Sequence, residues 1–183
     1  MKSKFVEAAG CDLIITSAGI SVGDHDHVRD AITALGGTID FWKVRMRPGA
    51  PLAFGSLDGI PWIGLSGNPV SAMVTFEVFV RPAIKKMRGL QHLFRKTIPV
   101  TIAEPIKLAA PLMHFFRVVI TPSGSNYAAR LSGSQSSAVL TAMSRANALL
   151  VVPGENLEHD VGEMLVAIPL GDEHESAPSL VLG

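Results

Sequence analysis

The chain has 183 residues, 48% of them hydrophobic and 17% charged, which excludes a disordered chain and suits one ordinary domain or two small ones. Sixteen basic residues balance sixteen acidic ones, so the total charge points to neither nucleic acid nor a membrane surface as partner. The balance hides an asymmetry: residues 1–95 hold 11 basic against 8 acidic side chains, and residues 96–183 hold 5 against 8. An anion site is therefore expected in the first half. The single cysteine, Cys11, allows no disulfide within the chain and no CxxC zinc pattern, which suits a reducing compartment. No secretory signal is legible at the start, and Glu77, Arg81 and prolines break the apolar stretches before the ~18 residues a membrane span needs. The expected location is the cytoplasm.

In chain order, Cys11–Thr16 is a short apolar strand candidate. Val28, Ile32 and Leu35 then share one helix face, and Gly36-Gly37 end the helix. Ile39–Met46 and Trp62–Leu65 are strand-like, and a long helix starts near Val70 after the turn Ser66-Gly67-Asn68-Pro69. This order predicts an α/β layered domain over residues 1–90 with a mostly parallel sheet. That domain holds few strands for its class, as if earlier strands were supplied elsewhere. The long helix is apolar on most sides, which predicts burial against the sheet and another chain, with Pro82 kinking or ending it. From residue 97 to 170 the texture changes. Ile98–Ala103, Phe115–Thr121, Asn126–Leu131, Ala148–Val152 and Glu163–Ile168 are short strands separated by Pro, Gly, Ser and Asn, the rhythm of a small all-β, barrel-like domain. Residues 89–97 read as a linker and 171–183 as a frayed tail.

Three stretches carry chemistry. The first, Thr16–Val28 (TSAGISVGDHDHV), runs from strand through a glycine-rich turn into a helix. Gly19 and Gly23 permit backbone that points amides at an anion, with Ser21 between them, and the helix adds its positive end. Asp24 or Asp26 can cap that helix. The pair can also hold Mg²⁺ against a phosphate, because this ion takes hard oxygen ligands. His25 and His27, two residues apart, read as solvent-facing rather than as zinc ligands. The second stretch is Phe41–Gly49 (FWKVRMRPG). On a strand Lys43, Arg45 and Arg47 share one face at ~6–7 Å intervals, opposite Trp42, Val44 and Met46. Such a cationic face holds an oxyanion; the competing reading is a solvated outer face. The third is Leu65–Ser71 (LSGNPVS), where Asn68 suits a helix N-cap and Pro69 the first helical position. Gly67 at a strand end lets the backbone approach a ligand, and Ser71 offers a hydroxyl. In the second half Arg117, the run Gly133–Ser137 and Asn147 stand out only as loop polar residues, and no Ser-His-Asp or Cys-His set is present.

The motifs SAGISVGDHD, FWKVRMRPGAPLAFG and LSGNPVSAMVTFEVFVRPAI, in that order, resemble the molybdopterin molybdenumtransferase family (MoeA and the E domain of gephyrin). FFRV, GSQSS, SRANALLVVP and VGEMLVAIPL resemble that family's C-terminal β-domain, and together the motifs cover about residues 8–170. The resemblance implies a transferase of molybdenum cofactor biosynthesis, inserting molybdenum from molybdate into adenylylated molybdopterin and releasing AMP, with Mg²⁺ as cation. It places the family's aspartate on Asp26, its two strand lysines on Lys43 and Arg47, its C-terminal arginine on Arg117 and its serine on Ser137. The Gly67–Ser71 turn falls in the pterin-phosphate pocket. The implied partners are the pterin substrate, a second copy in a homodimer and a MogA-type adenylyltransferase.

The chain departs from the family at Ser17-Ala18-Gly19 (for SGG), at Ser66 (for the proline of LPGNP) and at Ala50 (for the lysine of PGKP). The last change removes a positive charge beside the anion site. Family members are much longer, with further N-terminal domains, so the chain is expected to be a C-terminal fragment that does not catalyse the complete reaction alone. Two alternatives compete: a MogA-type molybdopterin adenylyltransferase, against which residues 98–170 argue, and a non-catalytic binding or scaffold module.

Overall fold

The computed structural model describes residues 10–20, 27–171 and 176–177; Ser21, Gly23, Asp24, His25 and Asp26 therefore lie outside the described residues, and of His27 only the backbone is described. The first half forms a four-stranded sheet from β1 (Ile14–Ser17), β2 (Thr38–Trp42), β4 (Leu52–Leu57) and β5 (Ile60–Leu65), in the order β1-β5-β4-β2. Helix α1 (His27–Ala34) lies between β1 and β2 in sequence. Val28, Ala31 and Ile32 of α1 are buried with Ile14, Ala53 and Trp62 of the sheet, so the spacing seen in the sequence is the packing face.

The layered α/β character is as expected, but the share of parallel pairing is smaller. β1–β5 is parallel, whereas β4–β5 and β2–β4 are antiparallel. The cause is local. Asp58 and Gly59 both have positive φ, +51° and +78°, the geometry of a two-residue hairpin turn, and such a short connection joins only antiparallel strands. β4 itself, Leu52–Leu57, escaped the sequence reading because Gly55 interrupts its pattern; that glycine is required, since a Cβ there would overlap the Thr38 carbonyl of β2.

Helix α2 (Pro69–Thr75) continues through a π-helical turn at 76–80 into α3 (Arg81–Met87). Pro82 neither ends nor breaks this run. The wider turn directly before it, with the Arg81 N–H on Phe76 O, accommodates the residue that has no N–H to give. Val70, Val74, Val78 and Val80 are buried. Met73 and Phe76 remain 44% and 37% exposed, on a groove of about 460 Å³ that Met143 and Leu170 also line.

The second half builds a barrel. β7 (Ile98–Ile102), β9 (Met113–Ser123), β10 (Asn126–Leu131), β11 (Ala148–Val152) and β13 (Met164–Pro169) pair in the order β10-β7-β13-β11-β9, and β10 pairs with β9 to close the ring. Closure removes the free edges that a short-stranded sheet would otherwise expose. Its interior holds Val100, Ile102, Val118, Leu150, Val152 and Ala167. Short β8 (Ile106–Lys107) and β12 (Glu158–His159) form a separate two-stranded ribbon, and β6 (Phe94–Arg95), in the stretch read as a linker, pairs with β14 (Ser176–Ala177), in the stretch read as a tail. A short helix α4 (Leu140–Arg145) is an α element inside the otherwise β region.

One strand joins the halves. β3 (Met46–Arg47), from the basic stretch, runs parallel to β9, with Arg47 opposite His114. Met46, Val70 and Val74 of the first half are accordingly buried in one cluster with Phe115, Leu149 and Val151 of the second.

Candidate functional site: a cationic cleft between sheet and barrel

A cleft of about 780 Å³ opens where β3, the turn after β5 and barrel strand β9 meet. Arg47, Lys107 and Arg117 line it, and among the described residues no aspartate or glutamate does. Two of those cations come from residues 96–183. The anion site is therefore not confined to the first half as the charge count suggested, because the β3–β9 pairing brings basic residues together from both sides.

Arg117 is the most constrained group. It is 1% exposed, and among the described residues its guanidinium reaches two backbone carbonyls, Phe115 O at 3.4 Å and Ser136 O at 3.3 Å. Among the described residues its Nε has no hydrogen-bond partner, and no carboxylate pairs with it. Burial lowers its pKa, yet a guanidinium stays protonated in proteins. A buried cation without a counter-charge is costly, and an oxyanion entering the cleft would offset that cost. The strand carrying it is fixed by Gln135, whose Oε1 accepts the Arg117 N–H at 2.8 Å while its Nε2 donates to Arg117 O at 3.0 Å. Sequence reading noticed the Gly133–Ser137 run but not this clamp.

Asn68 behaves differently from the expected helix cap. It occupies the N-cap position of α2 but makes no side-chain cap bond. Its Nδ2 donates instead across the cleft to Ser137 Oγ at 3.1 Å, and its backbone N–H bonds Ser66 Oγ at 3.2 Å. Asn68 Oδ1 is buried without a partner among the described residues. Ser66, one of the departures from the family pattern, thus holds the turn. Ser71 is buried and lines the same cleft.

Gly49 has φ +101°, and a Cβ there would overlap Thr75 Cγ2; the Arg47–Pro51 loop therefore lies directly on α2. Gly67 owes its smallness to a neighbour rather than a ligand, since a Cβ would sit 2.9 Å from that of Ala18. The turns after β1 and β5 consequently touch, with Ala18 N on Leu65 O at 3.0 Å. Gly19, φ +75°, likewise packs against Val28 of α1.

Lys43, Arg45 and Arg47 do not form one row. β2 ends at Trp42, and Lys43 adopts φ +76°, because its N–H and that of Val44 turn to Leu52 O and Ala50 O. A residue in the left-handed region breaks the two-residue alternation on which the shared face depended. Lys43 Nζ stands 4.2 Å from the Trp42 ring centroid and Arg29 Cζ 4.7 Å from it. The Trp42 indole N–H is held by Ile20 O at 2.8 Å, so Lys43 lies beside the residue-20 turn. Arg45 reaches weakly toward Pro111 O at 3.5 Å. Of the expected site residues, Arg47, Asn68, Ser71, Arg117 and Ser137 line one cleft; Gly67 and Pro69 flank Asn68 in the same turn, and Lys43 stands apart.

His114 also lines the cleft and carried no signal in the sequence. Its Nδ1 lies 2.8 Å from Leu112 O, so that nitrogen bears the hydrogen, and Nε2 is buried without a partner among the described residues.

No group of three or more metal-ligating side chains occurs among the described residues, and a cleft lined by cations does not suit a divalent metal. No described helix is long and apolar enough to cross a membrane.

Residues 1–86 match the family described as a probable molybdopterin binding domain, and residues 99–170 match the MoeA C-terminal region (domain IV). The molybdopterin molybdenumtransferase of Staphylococcus aureus (strain COL) is 36% identical over 143 residues, 78% of this chain and 34% of the relative. That of Staphylococcus epidermidis (strain RP62A) is 31% identical over 171 residues, 93% of this chain and 41% of the relative. The chain thus spans between a third and about two fifths of these curated relatives. Among solved structures, a molybdopterin biosynthesis MoeA protein from a Pyrococcus species superposes with a TM-score of 0.71 at 21% identity, over 92% of this chain and 40% of that one. A molybdenum cofactor biosynthesis protein from Pyrococcus furiosus gives 0.68 at 21% identity, over 92% and 53%. With an α/β layer followed by a closed barrel, and with both halves matched in order, the chain belongs to the MoeA family of molybdenum cofactor biosynthesis proteins.

Proposed function

We propose that the cleft between sheet and barrel binds an oxyanion substrate, molybdate, and that the chain contributes to the transfer of molybdenum onto adenylylated molybdopterin with release of AMP. The observation that carries this reading is Arg117, a buried guanidinium that, among the described residues, has no carboxylate partner and shares its cleft with no acidic lining residue. Arg117 and Arg47 present the charge-assisted donors that a tetrahedral oxyanion accepts. Asn68, through its bond to Ser137, ties the turn that would face the pterin phosphate to the barrel. Gln135 keeps Arg117 in register. Lys43, stacked on Trp42 beside the residue-20 turn, belongs in this reading to the pterin-phosphate end rather than the molybdate end. By sequence, Asp24 and Asp26 would supply carboxylates to Mg²⁺, and Ser21 and Gly23 amides to the phosphate it accompanies; the described residues hold no group of three or more metal-ligating side chains.

In the same reading the molecule works in the cytoplasm as a homodimer, receiving the adenylylated pterin from a MogA-type enzyme. Titration calorimetry of the chain with molybdate tests the central claim. Arg47→Ala is expected to lower molybdate affinity about tenfold, as loss of one charge-assisted contact does. Unchanged affinity in that variant, or no uptake by the parent chain, would overturn the assignment.

A further inference from the structure

The cleft has a third cation whose charge is directed elsewhere. Lys107 lines the cleft, but its Nζ sits 2.6 Å from Glu158 Oε1, and Glu158 is not among the lining residues. The two residues face each other directly across the β8–β12 ribbon. Both side chains are largely solvated, at 80% and 72% exposure. The pair is mutually reinforcing, raising the lysine pKa and lowering that of the glutamate. Exposed ion pairs of this kind hold weakly and are screened by salt. A lysine stem is long and rotatable, so its ammonium can change partners without backbone movement.

We propose that Lys107 is an exchangeable anion ligand of the cleft, and that Glu158 regulates the site by competing with the oxyanion for its ammonium. This rests on the reading that the cleft takes oxyanions. In the empty cleft the ammonium is parked on Glu158; when an oxyanion is seated between Arg47 and Arg117, the ammonium moves to it and Glu158 returns to water. Ala50 lines the cleft without a charge, so a mobile lysine on the ribbon adds a cation to the one, Arg47, that the Arg47–Pro51 loop supplies. The exchange also gives the site a salt response: salt screens both contacts, but the contact with a doubly charged oxyanion is the stronger of the two, so the net gain from exchange shrinks as ionic strength rises.

The two members of the pair have opposite expected effects, which a merely structural ion pair would not show. Molybdate titrations are run on the full chain, on Lys107→Ala and on Glu158→Gln, at low and at moderate salt, with thermal melts as the check on folding. Lys107→Ala is expected to weaken molybdate binding about two- to fivefold and to flatten its salt dependence. Glu158→Gln is expected to tighten it about two- to fivefold, the range in which exposed charge pairs act. If the parent chain binds molybdate but either variant leaves the affinity unchanged, or both shift it in the same direction, the exchange is refuted while the cleft assignment stands. If the parent chain binds no molybdate, both fall together.

Discussion

Arg117→Met separates the demands of binding from those of folding. Methionine keeps an unbranched stem of similar reach and removes the charge. The guanidinium is 1% exposed, has two long bonds at 3.3 and 3.4 Å and, among the described residues, no partner for its Nε. Replacing a buried, poorly compensated ion by an apolar side chain of similar volume is neutral to stabilising, by ~1–4 kcal/mol. Against that stand two carbonyls losing weak donors, about 0.5 kcal/mol each, and Ser136 is exposed, so water can replace one of them. The net expectation is a gain of about 1–2 kcal/mol, a rise in Tm of roughly 2–8 °C for a chain of this size. Gln135 holds the backbone of residue 117 on both sides, so the strand stays in place. Molybdate affinity should meanwhile fall by about 30- to 1000-fold, since a desolvated charged donor is lost. Thermal melts and urea titrations without anion, paired with calorimetry, read both quantities. A lowered Tm in anion-free buffer would refute the claim that Arg117 is held there for a ligand.

Two further outcomes follow from local geometry. Gly49→Ala places a Cβ in the left-handed region and into Thr75 Cγ2, and should cost about 2–4 kcal/mol by urea denaturation. Gly36→Ala, at φ +81° but in open space, should cost only about 1 kcal/mol; equal losses would show that the contact with α2 is unimportant. The third outcome concerns acid stability. The Glu163 carboxylate accepts the Asp160 N–H and meets His159 Nδ1, and those bonds, the first foremost, hold its pKa below the ordinary 4.5. A lowered folded pKa stabilises above the unfolded value, and the contribution is lost as pH falls through the folded one. Glu163→Gln should therefore flatten the decline of Tm below about pH 4.5 and leave the shape of the curve above it unchanged. An unaltered acid limb would disprove the coupling.

Much of the fold could be read from pattern alone. The five barrel strands appear within a residue or two of their expected limits, because each is a short apolar run bounded by Pro, Gly, Ser or Asn. Helix α1 follows from the spacing of Val28 and Ile32, both buried. The failures have identifiable causes. The alternation through Lys43, Arg45 and Arg47 presumed a continuous strand, and the left-handed Lys43 is a conformation no lysine advertises. Asn68 has the chemistry of a helix cap, and only the nearness of Ser137, in the other half of the chain, turns it away from that role. The Asp58-Gly59 turn was legible in principle, and with it the antiparallel β4–β5 pair, but the weak pattern around Gly55 concealed the strand.

Local sequence determined which residues carry positive charge, where the turns fall and how the strands are punctuated, since these depend on side-chain type over a few positions. It could not determine that Arg47, Lys107 and Arg117, scattered over both halves, would share a cleft that no acidic side chain lines among the described residues. The two-residue pairing of β3 with β9 decides that. Such a contact spans more than sixty positions of chain, and its formation depends on the burial of Met46 with Phe115. No periodicity encodes a contact of that range, so the site exists only once both halves have packed.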